Sequence, residues 1–223
     1  MVSEGAVPQL PDREGYFERW AALHGGYDPR GNMLVRRWLS GGYAVARPLA
    51  AARVPPDLVT VAGLLVSGGA VALATGSGWW LLGAALVVVL AGLLDTVDGA
   101  VAVLRDRVTS WGSVLDSVTD RVGDLLFLVA LGVAGAPWQV CGSGGAVMFL
   151  QEYTRARAGA VGLTEVAIVT VWERPTRVIV TAAFLAAAAL AGDPWPALGA
   201  WAWVGLGVVG LTQLLVVVRR RLT

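Results

Sequence analysis

The sequence predicts an all-α fold: an integral membrane bundle of six transmembrane helices preceded by an interfacial amphipathic helix. Three observations lead there. The 223 residues are 56% hydrophobic with a mean hydropathy of +0.66, too apolar for an ordinary soluble domain. From residue 58 onward, six apolar stretches of roughly crossing length follow one another. No stretch has the two-residue alternation of a strand.

Residues 1–31 are polar, hold Pro8, Pro11 and Pro29, and read as a cytoplasmic leader, mobile or loosely docked. They lack the apolar segment of a secretory signal. The only histidine, His24, lies here and reads as a solvated leader residue. Residues 32–56 form the interfacial element: within 33–53, Leu34, Val35, Trp38, Leu39, Tyr43 and Val45 are interleaved with Arg36, Arg37, Arg47 and Arg53. Gly41, Gly42 and Pro48 predict a break in it. Residues 57–223 make the transmembrane domain, with spans at 58–75, 79–104, 111–134, 138–158, 175–191 and 197–218. Small residues at 186–189 and 205–210 predict a homodimer seam.

Charge sets the topology. The connections at 76–78, 135–137 and 192–196 contain no arginine, whereas Arg105, Arg107, Arg155, Arg157, Arg174 and Arg177 mark the alternate ones and Arg219, Arg220 and Arg221 the tail. The positive-inside rule then makes this a multi-pass protein of the cell membrane with both termini cytoplasmic. Trp79, Trp80, Trp138, Trp195 and Trp201 would form the outer aromatic belt, and Trp38, Trp111 and Trp172 the inner one. A net charge of +1 supplies no field for nucleic acid, and none is expected as a partner. Every basic residue is arginine, the side chain that grips phosphate bidentately. The single cysteine, Cys141, reads as packing.

The chemistry concentrates at 95–120, DTVDGAVAVLRDRVTSWGSVLDSVTD. Asp95 and Asp98 are three apart and Asp116 and Asp120 four apart, so each pair shares a helix face. Each carboxylate costs about 2.5–3.5 kcal/mol on insertion scales, so four of them call for a compensating cation. If the two spans pair as a hairpin, both aspartate pairs converge. Oxygen ligands without thiol or imidazole suit Mg²⁺ or Mn²⁺, and such metals commonly share a phosphate with a substrate. Two classes fit these residues, a phosphoryl-transfer enzyme and a membrane cation transporter. Carboxylates at the cytoplasmic ends of spans, beside glycines, favour the enzyme.

At these residues the sequence resembles the CDP-alcohol phosphatidyltransferases, with their pattern D-x-x-D-G-x-x-A-R-x(8)-G-x-x-x-D-x-x-x-D. Asp95, Asp98, Gly99, Ala102, Gly112, Asp116 and Asp120 match seven of its eight fixed positions, and Val103 stands where the family has arginine. The resemblance implies transfer of a phosphatidyl group from CDP-diacylglycerol to an alcohol with release of CMP. It implies two divalent cations held by Asp95, Asp98 and Asp116 with Asp120 nearby, and Asp120 as general base. Asp98, Gly99, Ala102, Gly112 and Asp116 would bind the CDP donor. By its spacing Asp124, one turn beyond Asp120 on the same side, reads equally as a structural residue and as one giving a supporting hydrogen bond or acceptor contact.

The segments around Arg155 and Arg157 and around Arg174 and Arg177 are similar to the Y-x-R-A-R-A and E-R-P-x-R segments of actinobacterial phosphatidylinositol-phosphate synthases. The implied acceptor is a phosphorylated polyol, inositol phosphate first and glycerol phosphate second, with these four arginines around its phosphate. The same arginines also satisfy the positive-inside rule, and Glu152 and Glu173 can pair with them. A homologue that binds nucleotide or lipid with weakened catalysis is the alternative that Val103 raises.

Overall fold

A computed structural model describes residues 10–163 and 169–223, and every regular element among them is helical. The elements are α1 (Arg13–Leu23), a 3₁₀ turn (Pro29–Gly31), α2 (Met33–Ala51), α3 (Pro56–Ala74), α4 (Trp79–Leu104), α5 (Ser110–Val133), α6 (Trp138–Ala160), α7 (Arg174–Ala191) and α8 (Trp195–Leu222). Local chemistry explains where they start. Asp12 accepts the Gly15 N–H at 2.9 Å ahead of α1, and Thr109 accepts the Gly112 N–H at 3.0 Å ahead of α5. Proline opens the first turn of α3, α7 and α8, where its missing N–H costs little.

Among the described residues four helices, α3, α4, α7 and α8, are long and apolar enough to cross a membrane. The expected spans in α5 and α6 are present as helices, but Asp116, Asp120, Arg121 and Asp124 lower the apolarity of α5, and Gln151, Glu152, Arg155 and Arg157 that of α6. The α4–α5 hairpin expected from the sequence is not a tight one. Helix α3 packs against both, while α4 and α5 meet only lightly, which leaves a cleft between the two aspartate-bearing helices.

The first nine residues of the leader lie outside the described residues. The rest holds helix α1 and the 3₁₀ turn and is docked, one of the two states expected for the leader, though its helix was not foreseen. Tyr16 and Phe17 are 1% exposed and pack with Leu39 and Ala46 of α2 and Val97, Val101 and Val103 of α4. Burial pushes the Tyr16 hydroxyl up to about 12. His24 ends α1, exposed, stacked on Trp20 with ring centroids 3.8 Å apart. Helix α2 runs unbroken through Gly41, Gly42 and Pro48, contrary to the expected break. Gly42 serves packing instead, since a Cβ there would stand 3.3 Å from Thr96 Cγ2 of α4.

Two further expectations are corrected. Trp172 is not an interface residue: it is fully buried, edge-on to Trp203 at 5.1 Å. Trp203 Nε1 in turn donates to Thr181 Oγ1 at 3.0 Å. Gly207 and Gly210, assigned to a dimer seam, face inward. A Cβ on Gly210 would lie 2.6 Å from Trp172 Cβ, and one on Gly207 would lie 2.9 Å from Val147 Cγ1.

Gly210→Ala is therefore expected to destabilise the protein by about 1–3 kcal/mol, seen as a lower Tm in detergent. Gly41→Ala, whose Cβ meets nothing within 4 Å, should raise stability by about 0.5–1 kcal/mol.

Candidate active site

Helices α4 and α5 each present two aspartates one turn apart, and the fold brings three of the four together. Carboxylate oxygens of Asp95, Asp116 and Asp120 lie within 4.8 Å of one another. Asp98 stands beside this group. Its Oδ1 accepts the Gly99 N–H at 2.6 Å, and its Oδ2 is buried without a hydrogen bond. Asp95, Asp98, Thr60, Gly63, Thr119 and Arg174 line one small cleft.

The arginines hold this acid cluster in a ladder of ion pairs. Arg174 reaches Asp95 Oδ1 with Nε at 3.1 Å and Asp120 Oδ1 with Nη1 at 2.6 Å. Arg121 pairs with Asp120 at 3.4 Å, with Asp124 at 3.5 Å and with Glu152. Arg177 and Asp124 are both fully buried and meet at 2.6 Å. Arg177 also donates to Glu152 at 3.0 Å and to the Trp172 carbonyl at 3.1 Å. Arg155 pairs with Glu173 at 2.8 Å, and Glu173 also accepts from the Thr170 N–H and hydroxyl.

The four arginines grouped by sequence thus take different stations. Arg174 sits within the aspartate cluster, Arg177 is sealed beneath it, Arg155 stands at its edge, and Arg157 is exposed. Arg121 was missed. The available signal was an arginine inside an apolar span among aspartates, which has to be paired there.

Around the acids, a Cβ on Gly99 would meet nothing within 4 Å, so that face is open. Gly112 has a local reason to be glycine, since a Cβ would crowd Thr109 Oγ1 at 3.1 Å. Ala102 is half-buried beside them. Val103 is 7% exposed and packs in the α1–α2–α4 core; Arg19 Nη1 donates to its carbonyl at 3.4 Å. Arg105 is occupied elsewhere, donating to the Arg53 and Val54 carbonyls at 3.0 and 2.8 Å. That brace holds the α2–α3 corner, where Arg53 adopts a positive φ of 59°.

Donor chemistry and charge both fit divalent cations. The donors are oxygen only, as hard cations require. Among the described residues of the ladder and cleft, seven carboxylates (Asp95, Asp98, Asp116, Asp120, Asp124, Glu152, Glu173) face four guanidinium groups, a formal excess of three negative charges.

Residues 53–218 match the family described as CDP-alcohol phosphatidyltransferase. The chain belongs to this family. Membership decides for the enzyme over the transporter: the protein is a metal-dependent transferase of phospholipid biosynthesis with membrane helices, and Asp95, Asp116 and Asp120 are close enough together to hold a metal ion. It is 35% identical to an archaetidylinositol phosphate synthase of Methanothermobacter thermautotrophicus over 64% of this chain and 71% of the relative. It is 30% identical to the phosphatidylinositol phosphate synthase of Streptomyces avermitilis over 76% and 72%. The phosphatidylinositol phosphate synthase of Mycobacterium tuberculosis, solved with CDP-DAG bound, superposes with a TM-score of 0.65 at 28% identity, covering 79% of this chain and 92% of that one. The same Mycobacterium protein has also been solved with manganese and citrate, at a TM-score of 0.66 and 29% identity over 79% and 88%. By name these relatives and neighbours are synthases of archaetidylinositol phosphate or phosphatidylinositol phosphate.

Removing Asp124 takes from the fully buried Arg177 its nearest counter-charge and leaves Glu152 as the remaining one. Asp124→Ala should cost about 3–5 kcal/mol, whereas Arg157→Ala, at an exposed site, should stay within about 0.5 kcal/mol; chemical or thermal unfolding of the two variants checks the contrast.

Proposed function

We propose that this enzyme transfers the phosphatidyl group of CDP-diacylglycerol to inositol phosphate and releases CMP. The observation that carries the reading is the convergence of Asp95, Asp116 and Asp120 beneath Arg174. It occurs in a chain similar over most of its length to a synthase solved with CDP-DAG. Glycerol phosphate ranks second as acceptor, since the same arginines would serve either phosphate.

Asp95, Asp98, Asp116 and Asp120 would hold two divalent cations, Mg²⁺ or Mn²⁺. Such ions, when bound, neutralise pyrophosphate charge at the reacting phosphorus. The rest falls to the chain. The open face at Gly99 gives the donor's cytidine and phosphates close access to the α4 backbone, with Ala102, Gly112 and Asp116 bordering the same approach. Asp120 takes the proton of the acceptor hydroxyl as its oxygen attacks the β-phosphorus. The bond to the CMP oxygen breaks, and CMP departs. Arg155 and Arg174, with Arg157 further out, orient the acceptor's phosphate. Arg177 supports them from beneath through Glu152.

The proposed setting is six membrane spans, α3 to α8, with residues 57–223 as the transferase domain. Helix α2, which exposes Arg36, Arg37, Trp38 and Val45 while burying Leu39 and Ala46, lies in the interface as the 32–56 element, with 1–31 as the leader. Both termini and the cleft face the cytoplasm, by the arginine asymmetry of the connections. A homodimer remains part of the proposal, with a seam other than Gly207 and Gly210.

The test is CMP release from CDP-diacylglycerol by purified protein with Mg²⁺ or Mn²⁺ against inositol phosphate, glycerol phosphate, inositol and serine. Inositol phosphate is expected to give the fastest release, and none without metal. No release with any acceptor, from folded protein, would shift the reading to a binding homologue. Asp120→Asn should lower kcat by about 10²–10⁴-fold, and Arg155→Ala should raise the acceptor KM by about ten- to hundredfold with less effect on donor KM.

A further inference from the structure

A divalent cation and Arg174 compete for the same carboxylates. The guanidinium bridges Asp95 and Asp120, two of the three acids that converge, and its Nη1 lies 3.9 Å from Asp124. Its side chain is 14% exposed and passes over Gly123, where a Cβ would stand 3.5 Å from Nη2. It is therefore seated in the bundle. A cation bound by Asp95, Asp116 and Asp120 would lie within a few ångström of this fixed positive charge, in surroundings that screen poorly.

The neighbouring arginines are held differently. Arg177 is locked by Asp124, Glu152 and the Trp172 carbonyl, and Arg121 is tied to Glu152 as well as to the aspartates. The ion pairs of Arg174 among the described residues are all with aspartates of the cluster. It stands at the first turn of α7, one residue after Glu173, which anchors Arg155. Released from the acids, its guanidinium would share this end of α7 with Glu173 and with the Arg155 that Glu173 holds.

We propose that Arg174 is the internal counter-ion of the aspartate cluster, which a divalent cation displaces and thereby releases to bind the acceptor's phosphate. The identity of that phosphate rests on the reading in the preceding subsection; the displacement does not. Metal and acceptor binding then become linked, and the linkage is reciprocal: each tightens the other by the same factor. Ordered assembly follows, because the phosphate-binding guanidinium becomes available only when the cation is in place.

The experiment is a manganese titration of purified full-length protein in lipid nanodiscs without nucleotide, read by isothermal calorimetry and by the electron-spin signal of free Mn²⁺. Arg174→Gln is expected to bind Mn²⁺ about three- to tenfold more tightly than wild type, and Arg174→Lys to stay near wild type. On wild type, inositol phosphate should tighten Mn²⁺ several-fold; on Arg174→Gln it should not. Unchanged or weaker Mn²⁺ binding by folded Arg174→Gln overturns the displacement. Tighter binding by that variant, with neither inositol phosphate nor inorganic phosphate affecting wild type, overturns the release to phosphate. Tightening of wild type by inorganic phosphate but not by inositol phosphate upholds the counter-ion and refutes the inositol phosphate reading. If Arg174→Gln does not fold, absence of tightening of wild type by either anion overturns the proposal.

Discussion

Charge taken into an apolar bundle has to be balanced at close range, and the arrangement of α4 to α7 follows from that constraint. Asp124 and Arg177 show it most plainly, each fully buried and 2.6 Å from the other. Neither charge would be tolerable alone at that depth. Each remaining partner extends the balance outward: Glu152 to Arg121, Arg121 to Asp120, Asp120 to Arg174, Arg174 to Asp95. The ladder ties α5, α6 and α7 to the acid-bearing face of α4, with Arg121 and Arg177 braced on several sides and Arg174 ion-paired, among the described residues, with aspartates alone. It also leaves acids in excess at one end, where Asp95, Asp116 and Asp120 converge.

Much of this was legible in the sequence, for physical reasons. Aspartates are so costly in a span that their spacing survives as a clear signal, which is why Asp95, Asp116 and Asp120 could be named and are found together. Proline and glycine punctuation fixed the helix connections at 76–78 and 135–137 to within a residue or two. What could not be read was partner choice. Nothing local distinguishes Arg174, embedded among the aspartates, from Arg177, sealed beneath them, or from exposed Arg157. Arg121 could have been flagged from the aspartates beside it in α5, but its pairing with Glu152 of α6 could not be read.

The other misreadings share a cause. A tryptophan near a span end reads as an interface anchor, but Trp172 is drawn inward by Gly207 and Gly210 of α8, which leave room for its indole. The pair Gly41-Gly42 reads as a helix breaker, yet Gly42 allows α2 to approach Thr96 of α4 closely. In both cases a glycine's meaning was set by a helix far away in sequence. Val103 belongs here too: the departure from the family pattern lies where α1 packs, so the substituted side chain contributes to a core.

The docking of α1 has a consequence for the order in which the chain is made. Tyr16 and Phe17 are synthesised some eighty residues ahead of part of their resting place, Val97, Val101 and Val103 on α4. Until α4 has entered the membrane, the apolar face of α1 lacks much of its cover, and such surfaces are what chaperones hold during translation. Helix α1 thus completes its seat only once the later α4 is in place, and its arrival covers Val97, Val101 and Val103 on the helix that carries Asp95 and Asp98.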